Sequence, residues 1–249
     1  MNITSLKNLF TQSGGMQFKE HRDIVRGIGA DSMVLLKNKD FLPMSKGRVA
    51  LFGAGAVDTL FCGVFFNYVF TDGNINVKRG LLNNGFTLST ESWLAKMEKA
   101  VKQNDKQEKN LDKERYAYEG RRCNTPEIPI SKADLAESIL GTNTCIYVLR
   151  HGITTSGVVT EEEYQLSATE KANLQMIVES FENVVLVLNS NMVELAQIAR
   201  IKNIKAIILM GIAGMEAGNS LSDVLTGAVN PSGRLTATWA KKYKDYSTC

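Results

Sequence analysis

Cysteine and histidine are scarce in this chain, and what there is of them is scattered. Cys62, Cys123, Cys145 and Cys249 form no Cys-x-x-Cys pair, and His21 and His151 are the only histidines. No zinc pattern can be assembled from these residues, and no metal site is expected. Disulfide frameworks belong to short secreted chains, so in 249 residues these thiols read as buried or incidental. Long apolar runs are missing too, and none approaches the ~20 residues that span a bilayer. Met1 to Lys7 lacks the basic region and apolar stretch of a secretory leader. No membrane partner is expected, and the plain reading is a soluble, cytoplasmic protein. An excess of one charge is also lacking. The 29 basic and 26 acidic residues leave a formal net charge of +3, mixed along most of the chain. Nucleic-acid binding would call for a concentrated basic stripe with interleaved aromatics, so no such partner is expected.

Hydrophobic residues make up 44% of the sequence, enough to bury a sizeable core in one α/β domain or two small ones. Short apolar runs at Arg48–Gly53, Cys145–Leu149, Val184–Asn189 and Ala206–Met210 predict buried strands. Helical spacing is expected over Glu20–Lys37, Ser131–Leu140, Met192–Ile201 and Met215–Thr226. A further helix starts at Ser167, where Ser-Ala-Thr-Glu170 forms a capping box and Leu174, Ile177, Val178 and Phe181 share one face. This alternation predicts an α/β fold: a mostly parallel β-sheet flanked by helices on both faces, a three-layer αβα sandwich. Residues 1–19 read as a lead-in and 20–249 as the domain. A polar excursion near 96–127 reads as a solvated helix and surface segment, or as a lid or inter-domain contact.

Two glycine-rich segments follow predicted strands. Gly53-Ala54-Gly55-Ala56 stands where a phosphate-cradling loop would, but it lacks the third glycine and later acidic residue of a dinucleotide fingerprint. A strand-exit turn is the better reading, and no cofactor is expected. Gly211-Ile212-Ala213-Gly214-Met215-Glu216-Ala217-Gly218 allows close backbone approach to a neighbour or ligand. Asn230-Pro231-Ser232-Gly233-Arg234 is turn chemistry. Neither segment holds a nucleophile with its base.

Read in order, these segments resemble the α/β-sandwich domain of glycoside hydrolase family 3, of β-glucosidase type. His21-Arg22, Arg26 and Ser32–Asn38 before Leu42-Pro43 are similar to the family's opening helix, followed by Val49–Ala56, Gly80-Leu81 and Asn84-Gly85-Phe86. The most specific stretch is the last: Gly214-Met215-Glu216 with Gly218, Asp223–Gly227, Asn230–Thr236 and Thr238-Trp239-Ala240. The resemblance runs from about residue 20 to the C-terminus. It implies a β-linked saccharide or glycoside as substrate and a (β/α)₈ barrel, as domain or subunit, as partner. By analogy with members in which the sandwich comes first, the chain is expected to be an N-terminal fragment or a product that stops early.

The departures from the pattern bear on catalysis. A retaining glycosidase uses two carboxyl groups, and the resemblance places the nucleophile on the barrel. The acid/base glutamate usually follows a strand ending in arginine. Arg150 fits that strand end, but His151-Gly152-Ile153-Thr154-Thr155 follows, with no carboxyl. Glu161, Glu162 and Glu163 are weak substitutes, better read as a hydrated acidic turn before the capped helix. The glycine- and serine-rich loop expected near the sugar is Phe61-Cys62-Gly63-Val64-Phe65-Phe66-Asn67-Tyr68-Val69-Phe70 here. Its aromatics could pack in the core, stack on sugar or form an apolar interface. Arg150, His151, Cys62 and Gly63 are the substrate-binding candidates that the resemblance implies. The expected function is a share in hydrolysis of terminal β-linked sugars, with the isolated chain inactive. The alternative is a non-catalytic sandwich that binds a barrel partner or sugar.

Overall fold

The computed structural model describes residues 15–61, 73–111, 126–151 and 160–246. Helix α1 (Gly15–Ser32) leads into strand β1 (Val34–Asn38), then β2 (Arg48–Phe52), the short α2 (Ala54–Val57), α3 (Val77–Asn83) and β3 (Thr87–Leu88). There follow α4 (Glu91–Leu111), α5 (Lys132–Ser138), β4 (Thr144–Arg150), α6 (Glu161–Tyr164), α7 (Ala168–Ser180), β5 (Asn183–Asn189), β6 (Ile204–Leu209) and α8 (Ala217–Thr226). The strands form a six-stranded sheet in the order β1-β6-β5-β4-β2-β3. All pairings are parallel except that of β1 with β6. This is the expected α/β architecture.

The central strands explain why the core forms here. Every residue of β4, Thr-Cys-Ile-Tyr-Val-Leu-Arg, is buried, and β5 is buried from Val184 to Asn189. Continuous apolar strands of this kind suit a sheet covered on both faces. Each fully buried Val, Leu or Ile contributes about 2 kcal/mol relative to exposure. Of the four cysteines, Cys145 lies among the described residues, and it is a buried thiol in β4. No helix among the described residues is long and apolar enough to cross a membrane.

Two expectations are corrected. The helix expected over Glu20–Lys37 stops at Ser32, and Val34–Asn38 is an edge strand paired with β6. The tail fixes the break, because Ser232 N–H donates to Asp31 O at 3.1 Å and Gly233 N–H to Met33 O at 3.1 Å. Tertiary pairing overrides local helical spacing at this point. Met192–Ile201 is not a helix either: only Ile198–Arg200 forms a 3₁₀ turn. Glu194 N–H donates to Tyr164 O at 2.8 Å, so the backbone bonds outward instead of closing on itself.

The glycine-rich segment before α8 does what its composition suggests. Gly218 and Gly80 lie where α8 meets the start of α3, with Gly218 N–H donating to Ile75 O at 2.8 Å. A Cβ on Gly218 would sit 2.0 Å from Asn76 O, and one on Gly80 would sit 2.0 Å from the Gly218 carbonyl carbon. Around this crossing, polar residues tie α1 to α8. Arg26 grips Asp223 with two parallel bonds, from Nε to Oδ2 at 2.5 Å and from an Nη to Oδ1 at 2.6 Å. Arg22 pairs with Glu216, whose other oxygen accepts from Asn219 at 2.6 Å. Gly218→Ala is expected to cost about 3 kcal/mol or more, because backbone rather than a pliable side chain is in the way. Gly47, with nothing within 4 Å of a built Cβ, is the control. Urea unfolding would show the difference, and equal midpoints for Gly218→Ala and Gly47→Ala would contradict the crossing.

Candidate functional site

The strand order locates a crevice at one edge of the sheet. From β2 the chain moves outward to β3 and then returns across β2 to β4, so β2 and β4 lie side by side with connections leaving in opposite directions. The crevice outside the C-terminal ends of two such strands is where open parallel sheets bind ligands. Here it is bounded by Gly53–Val57 after β2 and by Arg150 and His151 at the end of β4.

That crevice is closed from inside. Glu127 extends an Oε2 that accepts the Ala54 N–H at 2.7 Å, and Oε1 accepts from Asn173 Nδ2 at 3.4 Å. Asn173, buried on α7, also takes the Ile130 N–H at 2.9 Å and donates to Ile128 O at 2.9 Å. Segment 127–130 is thereby sewn to both the start of α2 and α7. The glycines of the turn serve the same closeness. A Cβ on Gly53, at φ 99°, would lie 2.3 Å from Val148 O, and one on Gly55 would lie 2.6 Å from the Val148 side chain. Gly53-Ala54-Gly55-Ala56 is therefore a strand-exit turn pressed onto β4, and the amide a phosphate would use is already bonded. Glu127 keeps some exposed surface, yet its carboxyl group is enclosed. Burial pushes the carboxyl up to about 8, opposed by the Ala54 amide and assisted by the nearby Glu170 charge.

Beside it stand the candidates from the sequence. Arg150, the last residue of β4, is buried, with an Nη 3.3 Å from Asp58 Oδ2. His151 Nδ1 lies 2.8 Å from Glu163 O, and Nε2 lies 3.0 Å from Glu170 Oε1. Burial disfavours the charged ring, but the Glu170 hydrogen bond and charge, with the Glu163 carbonyl, raise His151 above its ordinary value. Burial likewise opposes the Glu170 carboxylate, yet His151 and the Ser167 cap hold it below the usual carboxylate range. Glu161 and Glu162 are exposed on the first turn of α6. Glu163 closes a capping box with Thr160, with Thr160 N–H donating to its Oε2 at 2.8 Å. The three glutamates thus form an acidic N-terminal turn, which complements the helix dipole. Cys62 and Gly63 lie outside the described residues.

The neighbouring strand end is pinned in the same way. Asn189, fully buried at the end of β5, accepts the Leu60 N–H at 2.6 Å and donates to Gly211 O at 2.7 Å. Sequence reasoning named Glu170 only as a helix cap and passed over Glu127 and Asn189. The available signal for Glu127 was an acid set between Pro126 and Pro129 where an apolar run resumes. No group of three metal-ligating side chains occurs among the described residues.

A carboxyl raised from 4.5 to about 8 means that the folded chain holds a proton which the unfolded chain has lost across that window. Its contribution therefore lowers stability as pH rises from about 4.5 to about 8. Glu127→Gln should flatten this dependence, bringing urea midpoints at about pH 5 and about pH 8 closer together than in the unsubstituted chain. An unchanged gap between the two midpoints would show that Glu127 is charged in the fold.

The chain as a whole is similar to known proteins. The sequence model of the glycosyl hydrolase family 3 C-terminal domain matches residues 33–249. The chain is similar to "Probable beta-glucosidase D" of Aspergillus flavus, 29% identical over 238 residues, covering 91% of this chain and 31% of that protein. It is also similar to "Beta-glucosidase A" of Butyrivibrio fibrisolvens, 25% identical over 245 residues, covering 92% and 30%. Among solved structures, a beta-glucosidase from Paenibacillus barengoltzii superposes with a TM-score of 0.78 at 24% identity, over 91% of this chain and 25% of that one. Beta-glucosidase 3B from Thermotoga neapolitana, in complex with glucose, gives 0.72 at 25% identity, over 92% and 32%. The chain thus spans about a third of the length of the curated relatives it matches, as the 31% coverage of the Aspergillus flavus protein shows. With the family model matched over residues 33–249, this chain belongs to the glycosyl hydrolase family 3 C-terminal domain family.

Proposed function

We propose that this chain is the sandwich part of a β-glucosidase-like glycoside hydrolase that removes terminal β-linked sugars. A (β/α)₈ barrel supplies the nucleophile, and the sandwich alone is not hydrolytic. The supporting observation is that the enclosed carboxyl groups among the described residues are already engaged. Glu127 bonds Ala54, Glu170 bonds His151, Glu216 and Asp223 hold arginines of α1, and Asp134 holds Lys96 at 2.6 Å. Glycoside hydrolysis needs two carboxyl groups facing one bond across an open cleft. The sheet edge at Arg150 and His151 is the face proposed to meet the barrel and the saccharide.

A second reading is a non-catalytic sandwich that binds a barrel partner or sugar. It is favoured by the sequence after Arg150, where Ile153 and Thr154 stand in place of the family's acid/base glutamate.

The two readings separate in an assay with a chromogenic β-glucoside, run on the chain alone and mixed with a separately expressed family 3 barrel. No turnover alone and turnover in the mixture is the result expected of a divided catalyst. Silence in both supports the non-catalytic module. Turnover by the chain alone that disappears in a Glu161/Glu162/Glu163 triple alanine variant would contradict both.

A further inference from the structure

Histidine 151 faces two partners of different kinds, and together they dictate its protonation. The Glu163 carbonyl can only accept, so Nδ1 at 2.8 Å must carry hydrogen. Nε2 at 3.0 Å faces the Glu170 carboxyl, so one further proton must lie between ring and carboxyl. Glu170 Oε2 accepts the Ser167 N–H at 2.8 Å in the first turn of α7, a place that favours the carboxylate. The proton therefore belongs to the ring, and His151 is an imidazolium with both N–H groups committed to protein.

Those commitments join three elements at one point. His151 directly follows β4, Glu163 is in α6 and Glu170 is in α7. The side chain is only 12% exposed and Glu170 only 7%, so water competes poorly for either bond. With no N–H left over, the ring has nothing to offer a sugar hydroxyl. Its action passes through the residue before it, Arg150.

We propose that His151 is a positioning residue that works only as the imidazolium: it locks the exit of β4 to α6 and α7, and so fixes Arg150 at the sheet edge that meets the saccharide. The last part rests on the function proposed above; the lock itself does not.

The groups facing the ring set when the lock holds. Glu163 in α6 and Glu170 in α7 favour the charged ring. Glu127, from the segment before α5, also senses the His151 charge, and Tyr147 on β4 senses both Glu127 and Glu170. Arg150 on β4 is turned to Asp58. A histidine raised above 6.5 gives its stabilisation in full below that value and loses it as pH rises through the raised one. A glutamate depressed below 4.5 gives its share above that value and loses it as pH falls through the depressed one. The lock is closed between those two limits.

The chain has only two histidines, and His21 is exposed, so ring-nitrogen NMR resolves His151 directly. Both nitrogens of His151 are expected to be protonated at about pH 7, with a titration midpoint above 6.5. Glu170→Gln keeps the helix cap, since glutamine also completes a capping box, and should lower the midpoint by about one pH unit or more. Above the His151 midpoint, the protection factor of the His151 amide, taken relative to intrinsic exchange at each pH, should fall roughly tenfold. An unprotonated Nε2 at about pH 7, or a midpoint unmoved in Glu170→Gln, would overturn the lock. In the barrel mixture, turnover should fall above the same midpoint, and at lower pH for Glu170→Gln. If the mixture is silent, the proposed function fails while the NMR result still decides the lock. Turnover that ignores the His151 midpoint would overturn its positioning role.

Discussion

A carboxyl group on a backbone amide decides what the sheet edge can be. Where neighbouring parallel strands send their connections in opposite directions, a crevice is left with amides at its mouth. In this chain Glu127 fills it, accepting the Ala54 N–H at 2.7 Å. Beside it, Gly53 and Gly55 let the turn after β2 press onto Val148 of β4. Asn173 then fastens the Glu127 segment to α7, and His151 and Glu170 build the adjoining lock. Among the described residues, the edge is held by polar groups bonded to protein.

The residues that most resemble the family turn out to hold the fold. Glu216, Gly218 and Asp223 stand in the most specific stretch of the sequence, and none lies at the β2–β4 edge. Glu216 and Asp223 receive the arginines of α1, and Gly218 lets α8 touch the backbone before α3. The family match runs over residues 33–249, and the α3–α8 crossing lies within it.

The central strands were legible because burial on both faces demands unbroken apolar runs, as in Val184–Leu188. The Ser167–Glu170 box was legible because a cap is a local interaction. What lay hidden depends on distant closure. Val34–Asn38 has helical spacing with Glu20–Ser32 and becomes a strand only because β6 and the 232–233 turn lie beside it. Glu127 sits at the end of a polar stretch, and its partner is 73 residues away. His151 was visible as a strand-end residue, but its two partners fix it as a lock and could not be read from spacing.

Amide hydrogen exchange at Ala54 tests the internal closure most directly. If Glu127 fills the crevice, the Ala54 N–H should exchange slowly, near the rate of the core amides of β4, and lose that protection in Glu127→Ala while β4 keeps its own. An Ala54 amide that exchanges at the rate of an exposed loop in the unsubstituted chain, or is equally protected in Glu127→Ala, would contradict it.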